Sequence, residues 1–164
     1  MGTLWAWLPA AFEGLDTAAR TARAFRGLQR GRRGARHALL DELRHNATVC
    51  WLFVGREIEL EQLVAELRHD AYDRLAEQGF DFDSLRRAPV AAHPSLERTG
   101  LQAFVGQRTG HLVHALYGRI KDLELTYRLS PGSPRVRFPL RVRNIQRRIL
   151  LLLWHLRGER GRAR

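Results

Sequence analysis

Between residues 139 and 157 the chain is too apolar to stand as an ordinary surface helix. Val142, Ile145, Ile149, Leu152 and Leu156 recur in steps of three and four, which puts them on one face of an α-helix. Leu150, Leu151 and Trp154 widen that face, and the reading leaves Arg143, Asn144, Arg147, Arg148 and His155 on the far side. So broad an apolar face is buried only if other elements cover most of the helix circumference. The rest of the chain must supply those elements.

It supplies helices. From about Thr109, a stripe of Leu112, Leu116, Ile120, Leu123 and Tyr127 runs to a breaker, Ser130-Pro131-Gly132-Ser133-Pro134. An earlier helix, with Leu40, Leu43, Ala47, Cys50 and Val54 on its predicted stripe, follows a break at Gly31 to Gly34 and ends near Gly55. A less amphipathic helix is predicted over residues 9–29, with Pro9 in its first turn. Two short helices are predicted over 60–67 and 70–78, with Gly79 as the C-cap of the second and a loop enclosed by Pro89 and Pro94. No strand-type alternation or internal repeat is present. The expected fold is therefore all-α, a helical bundle of four to five main helices. Residues 1–157 form a single helical domain in this reading, residues 57–97 a small acidic helical and loop excursion from it, and residues 158–164 a basic flexible tail.

Charge is segregated along the sequence. The last thirty residues carry ten arginines and one acid, and residues 20–36 carry seven arginines and no acid. Residues 57–97 hold ten carboxylates against four arginines, a local balance of −6 in a chain of net charge +11. Such clustering suits a polyanion or an acidic protein surface. Lys121 is the sole lysine, so the cations are planar, permanently charged guanidinium groups that bind phosphate or carboxylate bidentately. The single cysteine, Cys50, excludes an internal disulfide and a cysteine-based zinc site, and its apolar surroundings favour a buried small hydrophobe over a nucleophile. The first residues lack the basic leader of a secretory signal, and the longest apolar run, residues 149–154, is too short to span a bilayer. The expectation is a cytoplasmic protein with no membrane partner.

Chemistry-bearing patterns are few. His111 and His114 share a helical face, but no third ligand is identifiable, so no metal site is expected. The carboxylates at Glu57, Glu59, Glu61, Glu66, Asp70 and Asp73 follow no metal-binding spacing and read as a solvated face or a contact for a basic partner. Asn46, inside an apolar helix, reads as a satisfied interhelical hydrogen bond or a contact to a partner backbone. No phosphate-binding glycine loop is present, and no cofactor is expected. Arg108 and His114, with five residues between them, resemble the Arg-x(4–6)-His signature of HEPN-domain ribonucleases, which are helical bundles. That resemblance implies metal-independent RNA cleavage at a site shared across a dimer, with Arg108 stabilising phosphate charge and His114 in an acid/base or electrostatic role.

The leading functional expectation is a non-enzymatic, arginine-rich helical subunit that binds the backbone of RNA or DNA within a larger bacterial assembly, of an antiviral-defence type. Arg141, Arg143, Arg147 and Arg148 on the last helix, with Arg30, Arg32, Arg33 and Arg36 near the other end, are the candidate phosphate contacts. Two alternatives stay open. One is an adaptor that grips a larger acidic protein, or self-associates through its acidic middle and basic ends, with Trp5, Trp7 and Trp154 as anchors. The other is the HEPN-like ribonuclease.

Overall fold

A computed structural model describes residues 34–158 of the chain. The chain divides into two compact units, Met1–His37 and Ala38–Arg164, and of the first unit only residues 34–37, which are helical, belong to the described region. Helix α1 covers residues 34–54. It is followed by α2 (Leu60–Glu66), α3 (Asp70–Glu77), three short 3₁₀ turns (Phe82–Leu85, Pro94–Leu96, Gln102–Phe104), α4 (Thr109–Leu129) and α5 (Phe138–Arg157). No strand occurs among the described residues. The fold is an all-α helical bundle.

The two long helices form its spine. α4 and α5 lie antiparallel, since Thr109 at the start of α4 meets His155 at the end of α5, and the Tyr127 ring at the other end of α4 meets Phe138 at 6.0 Å. Leu112, Leu116, Ile120 and Leu123 of α4 face Val142, Ile145, Ile149, Leu152 and Leu156 of α5, and all nine are buried as their spacing predicts. Each such side chain withdrawn from water contributes about 1.5–3 kcal/mol, so this seam is the largest single source of stability in the unit. Pro139 sits in the first turn of α5, where its missing N–H leaves no hydrogen bond unmade.

The acidic middle is bound into this core. Leu63, Leu67, Ala71, Leu75, Phe82 and Leu85 are buried. α2 and α3 lie within one residue of the predicted bounds, and Gly79 takes a left-handed φ of 65° as the expected cap. α1 ends by the same device, but the left-handed residue there is Arg56, with Glu57 N–H donating to the Leu52 carbonyl at 2.9 Å and Arg56 N–H to the Phe53 carbonyl at 3.0 Å.

α1 differs from its predicted stripe. Leu43 and Cys50 are buried as expected, but Leu40, Ala47 and Val54 are only half-buried, and the inner face runs instead through Leu39, Glu42, Leu43, Asn46, Val49 and Cys50. Two polar side chains thus lie inward because backbone groups await them. Glu42 accepts from the N–H groups of Ala71 at 2.6 Å and Tyr72 at 3.2 Å, capping the α3 N-terminus from another helix. Asn46 donates to the Arg68 carbonyl at 2.7 Å and accepts from the Arg68 N–H at 2.9 Å. The second correction is His155, expected on the far side of α5 and found 1% exposed. Its ring bonds to the Thr109 hydroxyl at 2.9 Å, and that hydroxyl donates to the Arg86 carbonyl at 2.7 Å.

Candidate functional site

α5 buries one side and presents the other. Leu140, Arg143, Arg147, Leu150, Trp154 and Arg157 follow one another by three or four residues, and all are exposed. They form a single outer stripe, with Arg143 and Arg157 about 21 Å apart along the helix axis. No carboxylate occurs anywhere on α5. Arg143, Arg147 and Arg157 make no ion pair or side-chain hydrogen bond among the described residues. Leu150 is 54% and Trp154 42% exposed, so apolar surface alternates with guanidinium groups along the stripe.

Beside the stripe lies a groove of about 380 Å³. Arg147, Leu150, Leu151 and Trp154 form one wall, and His93, Ser95, Leu96, Thr99 and Leu101 of the 3₁₀ region form the other. The His93 ring meets Trp154 at 5.6 Å in an edge-to-face arrangement and is held by the Ser95 hydroxyl at 2.7 Å. Floor and walls are apolar, and Arg147 brings a cation to the rim.

The other predicted arginines of α5 turn elsewhere. Arg141 lies against α4, donating to the Asp122 carboxylate at 3.3 Å and the Thr126 hydroxyl at 3.1 Å. Arg148 folds back along α5 to the Asn144 carbonyl at 3.0 Å and lies over the Phe104 ring at 5.7 Å. The four arginines therefore split between two faces, Arg143 and Arg147 outward, Arg141 and Arg148 toward the α4–α5 groove. Arg36 is exposed in the first turn of α1. Arg30, Arg32, Arg33, Trp5, Trp7 and the tail from residue 159 lie outside the described residues.

Arg108 and His114 line one cavity, of about 610 Å³, together with Phe80, Asp81, Asp83 and His111. Arg108 is the N-cap of α4 and sits 3.6 Å from Asp83. Asp83 also accepts the Gly110 N–H at 2.7 Å, an approach that Gly110 permits because a Cβ there would come within 2.9 Å of the carboxylate. His114 bonds through Nδ1 to the Tyr72 hydroxyl at 2.9 Å, and Tyr72 stacks on the buried Tyr117 at 4.2 Å. Burial pushes the Tyr72 phenol above its usual range, with Lys121 opposing, so it stays protonated.

Next to it, His69 bonds to Asp73 at 2.7 Å and Glu124 at 3.2 Å, and Lys121 bonds to Asp73 at 2.5 Å. Against the partial burial that raises it, the bonds from Lys121 and His69 hold Asp73 below the usual carboxylate range, whereas burial holds Glu124 above it. Both imidazole nitrogens of His69 face carboxylate oxygens, and the cluster clamps α3 to α4. Burial pushes the Cys50 thiol up to about 12, which removes it as a nucleophile at neutral pH. No group of three or more metal-ligating side chains converges, and no helix is long and apolar enough to cross a membrane, among the described residues.

Sequence reasoning missed Arg119 and Asp122, which face Arg141 and Arg148 across the helix pair. Arg141, Asn144 and Arg148 could be placed on one face by their spacing, but Arg119 joins them only through the antiparallel pairing of α4 with α5. Neither a protein-family model, nor a curated protein, nor a solved structure matches this chain.

Proposed function

We propose that this chain is a non-enzymatic binding subunit that holds the backbone of an RNA or DNA strand along the outer stripe of α5. The observation that carries the reading is the spacing of three guanidinium groups, Arg143, Arg147 and Arg157, that make no ion pair among the described residues, on a helix without a carboxylate. A phosphate path follows such a row, and the exposed Trp154 between Arg147 and Arg157 offers a ring on which a base of a single strand stacks. Single-strand binding through aromatic and cationic groups tolerates any sequence, in keeping with a stripe that lacks amide side chains for base-edge readout. The largely apolar groove beside the stripe and the segregated charge support a chain that works against a larger partner, and the assembly we propose for it is bacterial and of the antiviral-defence type.

The test is fluorescence anisotropy with a labelled twelve-nucleotide RNA and its DNA counterpart across a salt series. Three neutralised phosphates give a slope of log affinity on log salt of about −2 for a single strand. Arg143→Glu with Arg147→Glu should weaken binding at least about tenfold at low salt and flatten that slope. A slope near zero, or binding untouched by the double reversal, overturns the reading. A second reading draws on the cavity shared by Arg108 and His114. Cleavage of the RNA probe that disappears in His114→Ala, with binding retained, would favour an HEPN-like ribonuclease over a subunit that only binds.

A further inference from the structure

The groove between α4 and α5 is built from an excess of positive charge that the fold itself leaves unneutralised. Arg119 and Asp122 of α4 and Arg141, Asn144, Ile145 and Arg148 of α5 enclose a cavity of about 170 Å³. Three guanidinium groups therefore share one carboxylate. Asp122 lies 3.3 Å from Arg141 and a longer 3.9 Å from Arg119, and it forms no ion pair with Arg148. The Arg148 Nε–H is buried without a hydrogen-bond partner among the described residues. An orphaned buried guanidinium donor is costly, and a second cation beside it adds to the cost. Burial and the neighbouring charge of Arg119 both weaken the hold of Arg148 on its proton, a physical sign of that excess.

We infer that this groove is a binding site for a phosphomonoester dianion. The local balance of three cations and one anion is complemented by two negative charges, which a terminal phosphate carries and a backbone diester does not. The cavity accommodates one tetrahedral oxyanion. Arg119 and Arg148, with their planar guanidinium groups, line it from different helices, and Asn144 lines it beside Arg148. Arg141, tied to Asp122 and Thr126, is a fixed wall of the site. Two sources supply such a group, a small phosphate compound and the phosphorylated end of a nucleic-acid strand. The second rests on the reading of α5 given above, because residues 141, 144 and 148 adjoin the outer stripe at 140, 143 and 147.

The experiment is isothermal titration of the full-length chain with inorganic phosphate at fixed ionic strength, beside 5′-phosphorylated and 5′-hydroxyl versions of one oligonucleotide. Phosphate should bind with one site per chain, Arg119→Gln and Arg148→Gln should each weaken it about tenfold, and Asp122→Asn should tighten it by removing the opposing charge. A merely structural groove would show the reverse for Asp122→Asn, which would then lower the melting temperature and gain no ligand. Arg119 is exposed, so its variant keeps the fold and remains informative if Arg148→Gln does not. Absence of phosphate binding, or binding indifferent to Arg119→Gln, overturns the site. Binding of phosphate with no binding of either oligonucleotide leaves the site standing and removes the nucleic-acid reading. Tighter binding of the 5′-phosphorylated strand supports both.

Discussion

Asn46→Leu should lower the unfolding free energy of the described unit by about 3 kcal/mol, with a fall in melting temperature on the order of 10 °C. The side chain is fully buried and makes two hydrogen bonds to one residue, donating to the Arg68 carbonyl and accepting from its N–H. Leucine has the same branched heavy-atom outline, if bulkier, and is at home in a core, so most of the loss comes from the bonds. What is left behind are a backbone donor and a backbone acceptor in the α2–α3 connection, with α1 covering them and no side chain able to replace the amide. The neighbouring His45 ring holds the Glu66 carbonyl at 2.8 Å, so the connection would keep one of its three anchors to α1. Thr48→Ala, on the exposed side of the same helix, should change stability by less than about 0.5 kcal/mol. Thermal melts of the two variants beside the parent decide it. An Asn46→Leu protein that melts with the parent would mean that the connection is held by packing alone.

The same region separates what the sequence makes legible from what it hides. α4 and α5 could be read along Leu112 to Leu123 and Val142 to Leu152, where periodicity and burial carry one signal, whereas Leu150 and Trp154, read as part of the apolar face, are exposed and the polar His155 is buried. α2, α3 and the Gly79 cap could be read because a helix boundary is a local matter of breakers and caps. The polar part of the α1 face was legible only at Asn46, whose place in an apolar helix predicts the buried hydrogen bonds it makes; Glu42 counts as polar in any periodic pattern, and neither residue marks the inner stripe. Their burial is decided by orphaned backbone groups some twenty to thirty residues further on, and the resulting rotation demotes Leu40, Ala47 and Val54 to the flank. The 3₁₀ turns between residues 82 and 104 left no periodicity to read, yet they supply Leu96 and Leu101 to the groove beside Trp154.

For the candidate sites, composition announced that arginine would matter and spacing separated the faces only in part. Arg143 and Arg147 fall outward, as a helix wheel places them. Arg148, one residue past Arg147, and Arg141, two residues before Arg143, face α4. A basic helix packed against a neighbour thus divides its cations between solvent and a groove, and only the neighbour's own charges, here Arg119 and Asp122, decide whether the groove is neutralised. On the two readings proposed above, that division suits a row of single charges to a chain of diesters and a clustered excess to one doubly charged group.

His155 should make the fold acid-sensitive below about pH 6.5. Burial first, and then the charge of Arg86, lower its pKa from 6.5 to about 4. The folded chain therefore keeps the ring neutral, with its Nε2–H donating to Thr109, while the unfolded chain takes up a proton as pH falls through the ordinary histidine value. The contribution is fully present above about pH 6.5, declines as pH drops toward 4 and levels off below it, for a total loss of up to about 3 kcal/mol. Denaturant titrations at pH 7.5, 6.0 and 5.0 read the slope, and His155→Gln isolates it, because glutamine keeps a donor for Thr109 and does not titrate. The other histidines remain in both proteins, so the comparison isolates the contribution of His155. The difference between parent and variant should shrink steadily from pH 7.5 to 5.0, and parallel curves would show that His155 protonates without strain. Because His155 ties the last turn of α5 to Thr109 and Arg86, acid should loosen the end of the helix that carries Trp154 and Arg157. On the proposed reading of the outer stripe, nucleic-acid binding would then weaken at Trp154 and Arg157 before Arg143 and Arg147, which lie about two to three turns from His155.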